Sequence, residues 1–432
     1  MAIFKEGDRF LKWKYRVSEI YLLFPNEEPV QLPTERLVSM SIMHDYENNF
    51  FPLFRIELVL ESDRYYKILQ NKETMQFKLR IQKYYREIGK KKESILRDFI
   101  NDTFDLILDD DDYDLDSGFK EEQAGSDYSK LKKENNNDLF SADNRIEFFL
   151  FKSNTIRASK KIVNRILYNA SVTDAISYIM SSTGIRNVLM APADNQDTIQ
   201  ELVIPPLHAL GALTFVDCYY GIYKSGSVLY FDLDRNYIFP YDGKCRCWEK
   251  NEIKQTSILI PKKNSTFSSD MCTVDKSDSN TKTNYLVGNN STISIKNNSV
   301  TYDILAGNDI ESINLYSGDV SQGDSKTITK SENNERVLPN RTENPYFNEI
   351  YMQQSTARSI VIQTNFGDYD VGYLKPNIIY NFIFEDTKLT IKYKGSYRMV
   401  RCTHMFVRDG RDFAISSDVM FKCMSPTIKK KG

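Results

Sequence analysis

Between Met75 and Tyr84 the chain alternates almost without fault. Met75, Phe77, Leu79 and Ile81 fall on one side, and Gln76, Lys78, Arg80 and Gln82 on the other. Successive side chains of a strand point to opposite faces, so this stretch is predicted to be a half-buried antiparallel strand with a solvated basic face. Such a strand needs neighbours, and the chain supplies them. Tyr15, Val17, Ile20 and Leu22-Leu23-Phe24 run up to the turn residues Pro25-Asn26-Glu27, and Leu37–Met43, Leu53–Leu60 and Ile146–Phe151 read as further strands. Asp63–Asn71 fits a short helix or turn between them. With 27 Tyr and 25 Phe against 18 Gly in 432 residues, large side chains that favour strands dominate, and a small barrel or strongly curved sheet is the expected product.

Elsewhere the period changes. Over Ser153–Ser182 apolar residues recur every three or four positions, which predicts two helices, the second capped by Ser171 or Thr173 and ended by Gly184. Lys160, Lys161 and Arg165 then form a solvated basic face. In Glu201–Leu233 a strand through Ile204 is expected to give way to a helix opened by Pro205-Pro206 and closed by Gly221. A hairpin follows, with Val228–Phe231 as a strand. From Ser359 onward short runs at Ile360–Ile362, Tyr369–Leu374, Ile378–Phe384, Leu389–Tyr393, Tyr397–Cys402, His404–Val407 and Phe413–Phe421 predict a second barrel.

Two stretches interrupt this plan. Residues 105–145 are acidic and then rich in Lys and Asn, and residues from about 262 to 345 are mostly Ser, Thr, Asn, Asp, Lys and Gly. Both read as polar insertions, the second with weak β-structure. The expected fold class is therefore α+β, mainly β. Two small β-barrels, 1–152 and 256–432, flank a middle α/β domain at 153–255.

The chemistry is sparse. Asp112, Asp114 and Asp116 have calcium-loop spacing, but Ser117 stands at position six and Gln123 at position twelve, so no metal ligand set is assigned. The three histidines, His44, His208 and His404, lie in no ligand cluster, and Cys245-Arg246-Cys247 lacks zinc-knuckle spacing. Asp232 and Asp234 have the makings of an acid–base pair on a glycan, yet their place after a strand favours a turn role. Lys12-Trp13-Lys14-Tyr15-Arg16 and Tyr84-Tyr85-Arg86 interleave aromatics with cations as a nucleic-acid channel does, but strand alternation fills one face and solvates the other. No phosphate loop, dinucleotide fingerprint or nucleophile elbow occurs. The expectation is no catalytic residue, no cofactor site, no cofactor and no metal site. The six cysteines are too sparse for a disulfide framework, and the net charge of −2 gives no overall pull toward nucleic acid or membrane. The N-terminus starts no secretory run and no segment has the length of a membrane span, so a soluble chain made in the cytoplasm is expected.

Leu202-Val203-Ile204-Pro205-Pro206-Leu207 followed by a helix, Tyr220–Asp232, and Lys394-Gly395-Ser396-Tyr397-Arg398 with His404 and the closing strand together resemble the baseplate or tail hub proteins of tailed bacteriophages and related contractile injection systems. The resemblance covers about three-quarters of the chain and leaves out the two insertions. It implies two tail-tube-like barrels per subunit and a homotrimeric ring joining the tail tube to the central spike, with a channel for transient DNA passage. The implied partners are the tail tube or distal tail protein, the spike and the tape-measure protein, in a virion assembled in the host cytoplasm. No lytic module is fused, so a structural, non-enzymatic role is implied. The rivals are a carbohydrate-binding or adhesive β-protein of a tail tip and a glycan or peptidoglycan hydrolase.

Overall fold

A computed structural model describes residues 9–90, 93–108, 144–241, 255–262, 273–275, 283–297, 310–313, 320–322, 344–346 and 358–424. The N-terminal part is strand-rich as expected: β1 (Arg9–Leu23), β2 (Val30–Gln31), β3 (Leu37–Asp45), β4 (Leu53–Leu60), helix α1 (Ser62–Asn71), β5 (Gln76–Glu87), β6 (Arg97–Leu108) and β7 (Asn144–Lys152). The alternation in β5 works as its sequence requires, with Phe77, Leu79 and Ile81 fully buried. Residues 105–108 are not part of an insertion, because they continue β6 against β7. The calcium-like aspartates Asp112, Asp114 and Asp116 lie outside the described residues, as does Cys245-Arg246-Cys247.

The middle part contains α2 (Ser153–Ser159), β8 (Ile162–Ala170), α3 (Val172–Thr183), β9 (Val188–Met190), β10 (Ile199–His208), α4 (Ala209–Tyr220), β11 (Ser227–Phe231) and β12 (Asn236–Pro240). Two expectations are overturned here. Residues 162–170 form a strand where a helix was predicted, because β10 offers a partner from Ile199 to His208 and the β-branched Ile162, Val163 and Ile166 suit a ladder. Pro205-Pro206 do not begin a helix: they occupy a bulge in β10 between Ile204 and Leu207, where a missing N–H breaks no ladder bond. The helix begins at Ala209, with His208 rather than a proline before it. By contrast α3 has the expected ends. Ser171 and Asp174 make a reciprocal capping box, and Gly184 closes the helix with φ 80°.

The last part holds β13 (Gln255–Ile260), β14 (Thr273–Asp275), β15 (Thr283–Val287), β16 (Asn289–Asn297), β17 (Ile310–Ile313), β18 (Val320–Gln322), β19 (Arg358–Gly367), β20 (Asn381–Phe384), helix α5 (Thr387–Lys392), β21 (Arg398–Asp409) and β22 (Asp412–Met424). Residues 262–345 are more than an insertion, since β14, β15 and β16 join the main sheet and Val274 and Leu286 are fully buried. Leu389–Tyr393, expected as strand, belongs mostly to α5, which starts where the Asp386 carboxylate accepts the Lys388 N–H at 2.9 Å. Tyr369–Leu374, also expected as strand, holds a single 3-10 turn at Val371–Tyr373.

Eight antiparallel strands close into a ring in the order β1, β5, β6, β7, β4, β3, β21 and β22, with Tyr15 opposite Phe413 at the closure. Strands β21 and β22, from the part of the chain expected to make the C-terminal barrel, complete this first ring. Asp368 fills the seam: its carbonyl accepts the Trp13 N–H at 2.8 Å and its N–H donates to the Ile415 carbonyl at 2.9 Å. Past the seam β22 exchanges β1 for β19, and a second set of strands, β19, β16, β15, β13 and β20, curls back to the start of β21 through the Tyr380–Tyr397 bridge. Gly288 alone separates β15 from β16, and a Cβ there would stand 2.4 Å from Thr364 Oγ1, so only glycine lets the chain turn this corner. Phe421 packs among these strands, with ring centroids of Phe382 at 5.1 Å and Tyr380 at 5.3 Å, in a core continuous with that of the first ring. The fold is thus mainly β. No helix among the described residues is long and apolar enough to cross a membrane.

Candidate functional site: a sealed polar joint and an open ribbon

The residues singled out in the sequence divide between two places. The first is a joint where the β11–β12 hairpin meets the first ring. Asp232 and Asp234 do serve the hairpin turn: Asp232 Oδ1 accepts the Leu233 N–H at 2.7 Å, and Asp234 Oδ1 accepts the Arg235 N–H and the Tyr237 hydroxyl at 2.8 Å. Yet Asp232 also faces His44 of β3, with Oδ1 and Nδ1 3.6 Å apart, and the Tyr230 hydroxyl reaches the same Nδ1 at 3.3 Å. His44 lies 5.5 Å from His404 of β21, ring centre to ring centre. His404 Nδ1 contacts Ser417 Oγ at 2.8 Å and the Tyr369 hydroxyl at 3.0 Å, while Cys402 Sγ lies 3.4 Å from Nε2. Sequence reading placed His404 on a strand, ended the first-ring strand at Met43 just short of His44, put His208 in a helix where it ends β10, and had no means of joining positions 360 residues apart.

The electrostatics follow from burial. Asp232 titrates above the usual carboxylate range because it is shut away from water, an effect that His44 partly offsets. Burial also acts on Asp234, but Lys375 at 3.1 Å outweighs it and holds the group below that range. Burial, reinforced by His44, keeps His404 neutral well below the ordinary histidine range, and burial drives the Cys402 thiol upward. A Cys–His contact with neither partner charged and neither exposed is no nucleophile. Among the described residues no three His, Cys, Asp or Glu side chains are grouped to hold a metal ion. The arrangement fastens two parts of the fold together through hydrogen bonds.

The basic–aromatic stretch at the start of the chain resolves the same way. Trp13 and Tyr15 point inward, while Lys14 and Arg16 point outward onto Asp409 at 2.8 Å and Asp412 at 2.7 Å. The Tyr84 hydroxyl joins Asp412 at 2.8 Å, and Arg86 pairs with Glu93. These cations are already matched, so the stretch binds the ring shut instead of offering a path for phosphates.

The second place is the β8–β10 ribbon, which among the described residues pairs with no strand of the large sheet. Leu202 and Ile204 of β10, which packs against α4, are fully buried. The opposite row is apolar but bare, with Ile162 67% exposed, Tyr168 69% and Ile166 45%. Beside β10 runs a groove of about 650 Å³ lined by Ile199, Gln200, Glu201, Val203, Phe215, Tyr219 and Tyr220. His208, exposed, contacts the Lys160 carbonyl through Nδ1 at 2.7 Å and holds the ribbon's end. Arg165 lies over the Tyr178 ring at 5.4 Å instead of on a helix. The helical reading of 153–182 hid this ribbon, although Ile162, Asn164, Ile166 and Tyr168 share one face of a strand.

The chain is similar to several solved structures at low identity. A tail protein from Neisseria meningitidis is 10% identical with a TM-score of 0.43, over 96% of each chain. A 43 kDa tail protein of prophage MuSo2 from Shewanella oneidensis is 11% identical with a TM-score of 0.43, over 93% of this chain and 97% of that one. A chain of the p2 virion baseplate is 8% identical with a TM-score of 0.32, over 94% of this chain and 98% of that one. No curated protein matches. The family model described as Bacteriophage PBS1 gene 109 protein matches residues 8–430, nearly the whole chain, and the protein belongs to that bacteriophage family.

Proposed function

We propose that this member of a phage family is a structural protein of the tail baseplate. In this reading three copies form a hub ring that joins the tail tube to the central spike and lines a channel for DNA. The observation that carries it is the closed ring of eight strands, two of which, β22 and β21 at its start, also bond to a second, curled set of strands. Two sets of strands that share members cannot move independently, which suits a rigid adaptor between parts of different symmetry. The two sets act as tube-like domains, and residues 153–255 form the unit beside them. The tube or distal tail protein, the spike and the tape-measure protein are the partners, and the site of action is the virion. The role is non-catalytic: the titratable groups that do meet, His44, His404, Cys402 and Asp232, are sealed within a joint.

Native mass spectrometry of the recombinant chain, with negative-stain microscopy of the same sample, tests the reading. A trimer seen as a ring with a central opening is expected. A stable monomer at all concentrations, or absence of the chain from purified virions, overturns it.

A further inference from the structure

We infer that copies of this chain join head to tail through the ribbon, β8 of one copy adding to the free edge of β10 in the next. This deepens the ring reading and rests on it. The edges can be located from a single side chain. The Tyr220 hydroxyl accepts the Val203 N–H at 2.8 Å and donates to the Val203 carbonyl at 3.3 Å. Val203 therefore turns its backbone groups away from β8. Backbone groups alternate along a strand, so those of Glu201 and Ile199 point the same way, and among the described residues nothing takes them. The edge ends at Pro205 and Pro206, which have no N–H to offer.

Among the described residues no strand lies on the far side of β8. Ile166 stands opposite Val203, so its N–H and C=O, and those of Tyr168, also point out of the ribbon. One ribbon thus carries two unpaired edges, and a two-stranded ribbon gains by adding a third strand. Addition would set Ile166 and Tyr168 of one copy beside Val203 and Glu201 of the next, with Phe215 and Tyr219, stacked at 5.2 Å, flooring the groove alongside.

Charge fits the same contact. Residues 153–170 carry Arg157, Lys160, Lys161 and Arg165 and no acid, whereas residues 191–204 carry Asp194, Asp197 and Glu201 and no base. Ribbon added to ribbon continues that alternation of sign, and a contact between two different edges repeats from copy to copy until it closes a ring.

Two exposed substitutions test this. Tyr168→Lys places a lysine on the β8 edge, the device that natural edge strands use against addition. Glu201→Pro removes an outward N–H of β10 and no bond of the ribbon itself, and Glu201→Lys replaces it if proline unsettles the fold. Urea unfolding midpoints confirm that each variant is intact. In native mass spectra the wild type is expected as a trimer and each variant as a monomer. An equimolar mixture of the two variants is expected to give a two-copy species, because one good β8 edge and one good β10 edge remain. Folded variants that still trimerise, or a mixture with no two-copy species, overturn the inference while leaving the hub reading intact. A monomeric wild type overturns the ring reading and this contact with it.

Discussion

Among the described residues every strand of the first ring has two neighbours, whereas each strand of the ribbon has one. The ring's inward row, including Tyr15, Phe54, Phe77, Phe104 and Phe148, is fully buried, and much of its outward row is charged and paired. The ribbon reverses the second habit, leaving an apolar row and two edges bare. A closed sheet satisfies its own backbone, so its outer surface is free to be soluble, while an open ribbon leaves that task to something else. The ring is built for stability and the ribbon for contact.

The largest effect that would sharpen this contrast lies in the ring core. Phe54 meets Phe104 edge to face with centroids 5.5 Å apart, both fully buried. Phe54→Ala is expected to cost about 3–5 kcal/mol, read by urea unfolding monitored by tryptophan fluorescence. A loss as small as that of Tyr168→Lys would break the distinction between the two regions.

A smaller effect is expected at the end of α4. Gly221 has φ 73°, and a Cβ there would lie 2.1 Å from Asn344 Oδ1, whose amide bonds the Asp217 carbonyl at 3.2 Å. Gly221→Val adds left-handed strain to that clash, and about 2 kcal/mol of destabilisation is expected in the same assay. Faster hydrogen exchange around Asn344 would locate the damage, and unchanged exchange there would show the contact to be idle.

The smallest effect concerns the joint where the β11–β12 hairpin meets the first ring. Burial, aided by His44, holds His404 below its ordinary range, so the folded chain refuses a proton that the unfolded chain accepts once pH drops below about 6.5. Stability is therefore lost from this group as pH falls, by about 1.4 kcal/mol per pH unit at most. Asp232 and Asp217, both raised by burial, act in the opposite direction, because the folded state takes up their protons first. The clean measurement is the difference in slope between wild type and His404→Gln from pH 6.5 to 5.5. The variant should be flatter, and parallel slopes would remove His404 from the account.

Legibility in the sequence was uneven for a physical reason. The alternation in β5, the capping box at Ser171 and Asp174 and the stop at Gly221 depend on residues within a few positions of one another, and each was readable. Residues 162–170 misled because a spacing of three to four residues over so short a run fits both periods, and β10, some 35 residues away, settled the matter. The polar stretch at 262–345 concealed β14, β15 and β16 because strands this short carry too few apolar residues to stand out against their surroundings.

The sequence by itself determined a mainly β chain with large aromatic faces, both ends of α3 and the C-terminal end of α4, and a family resemblance. Tertiary structure alone decided that β1 and β22, at opposite ends of the chain, close one ring, and that β22 goes on to pair with β19. It also brought His44, Asp232 and His404 into one joint and left the edges of β8 and β10 open. Facing and capping are fixed by neighbours along the chain, whereas closure is fixed by which strand edge remains unpaired after all the others have found partners.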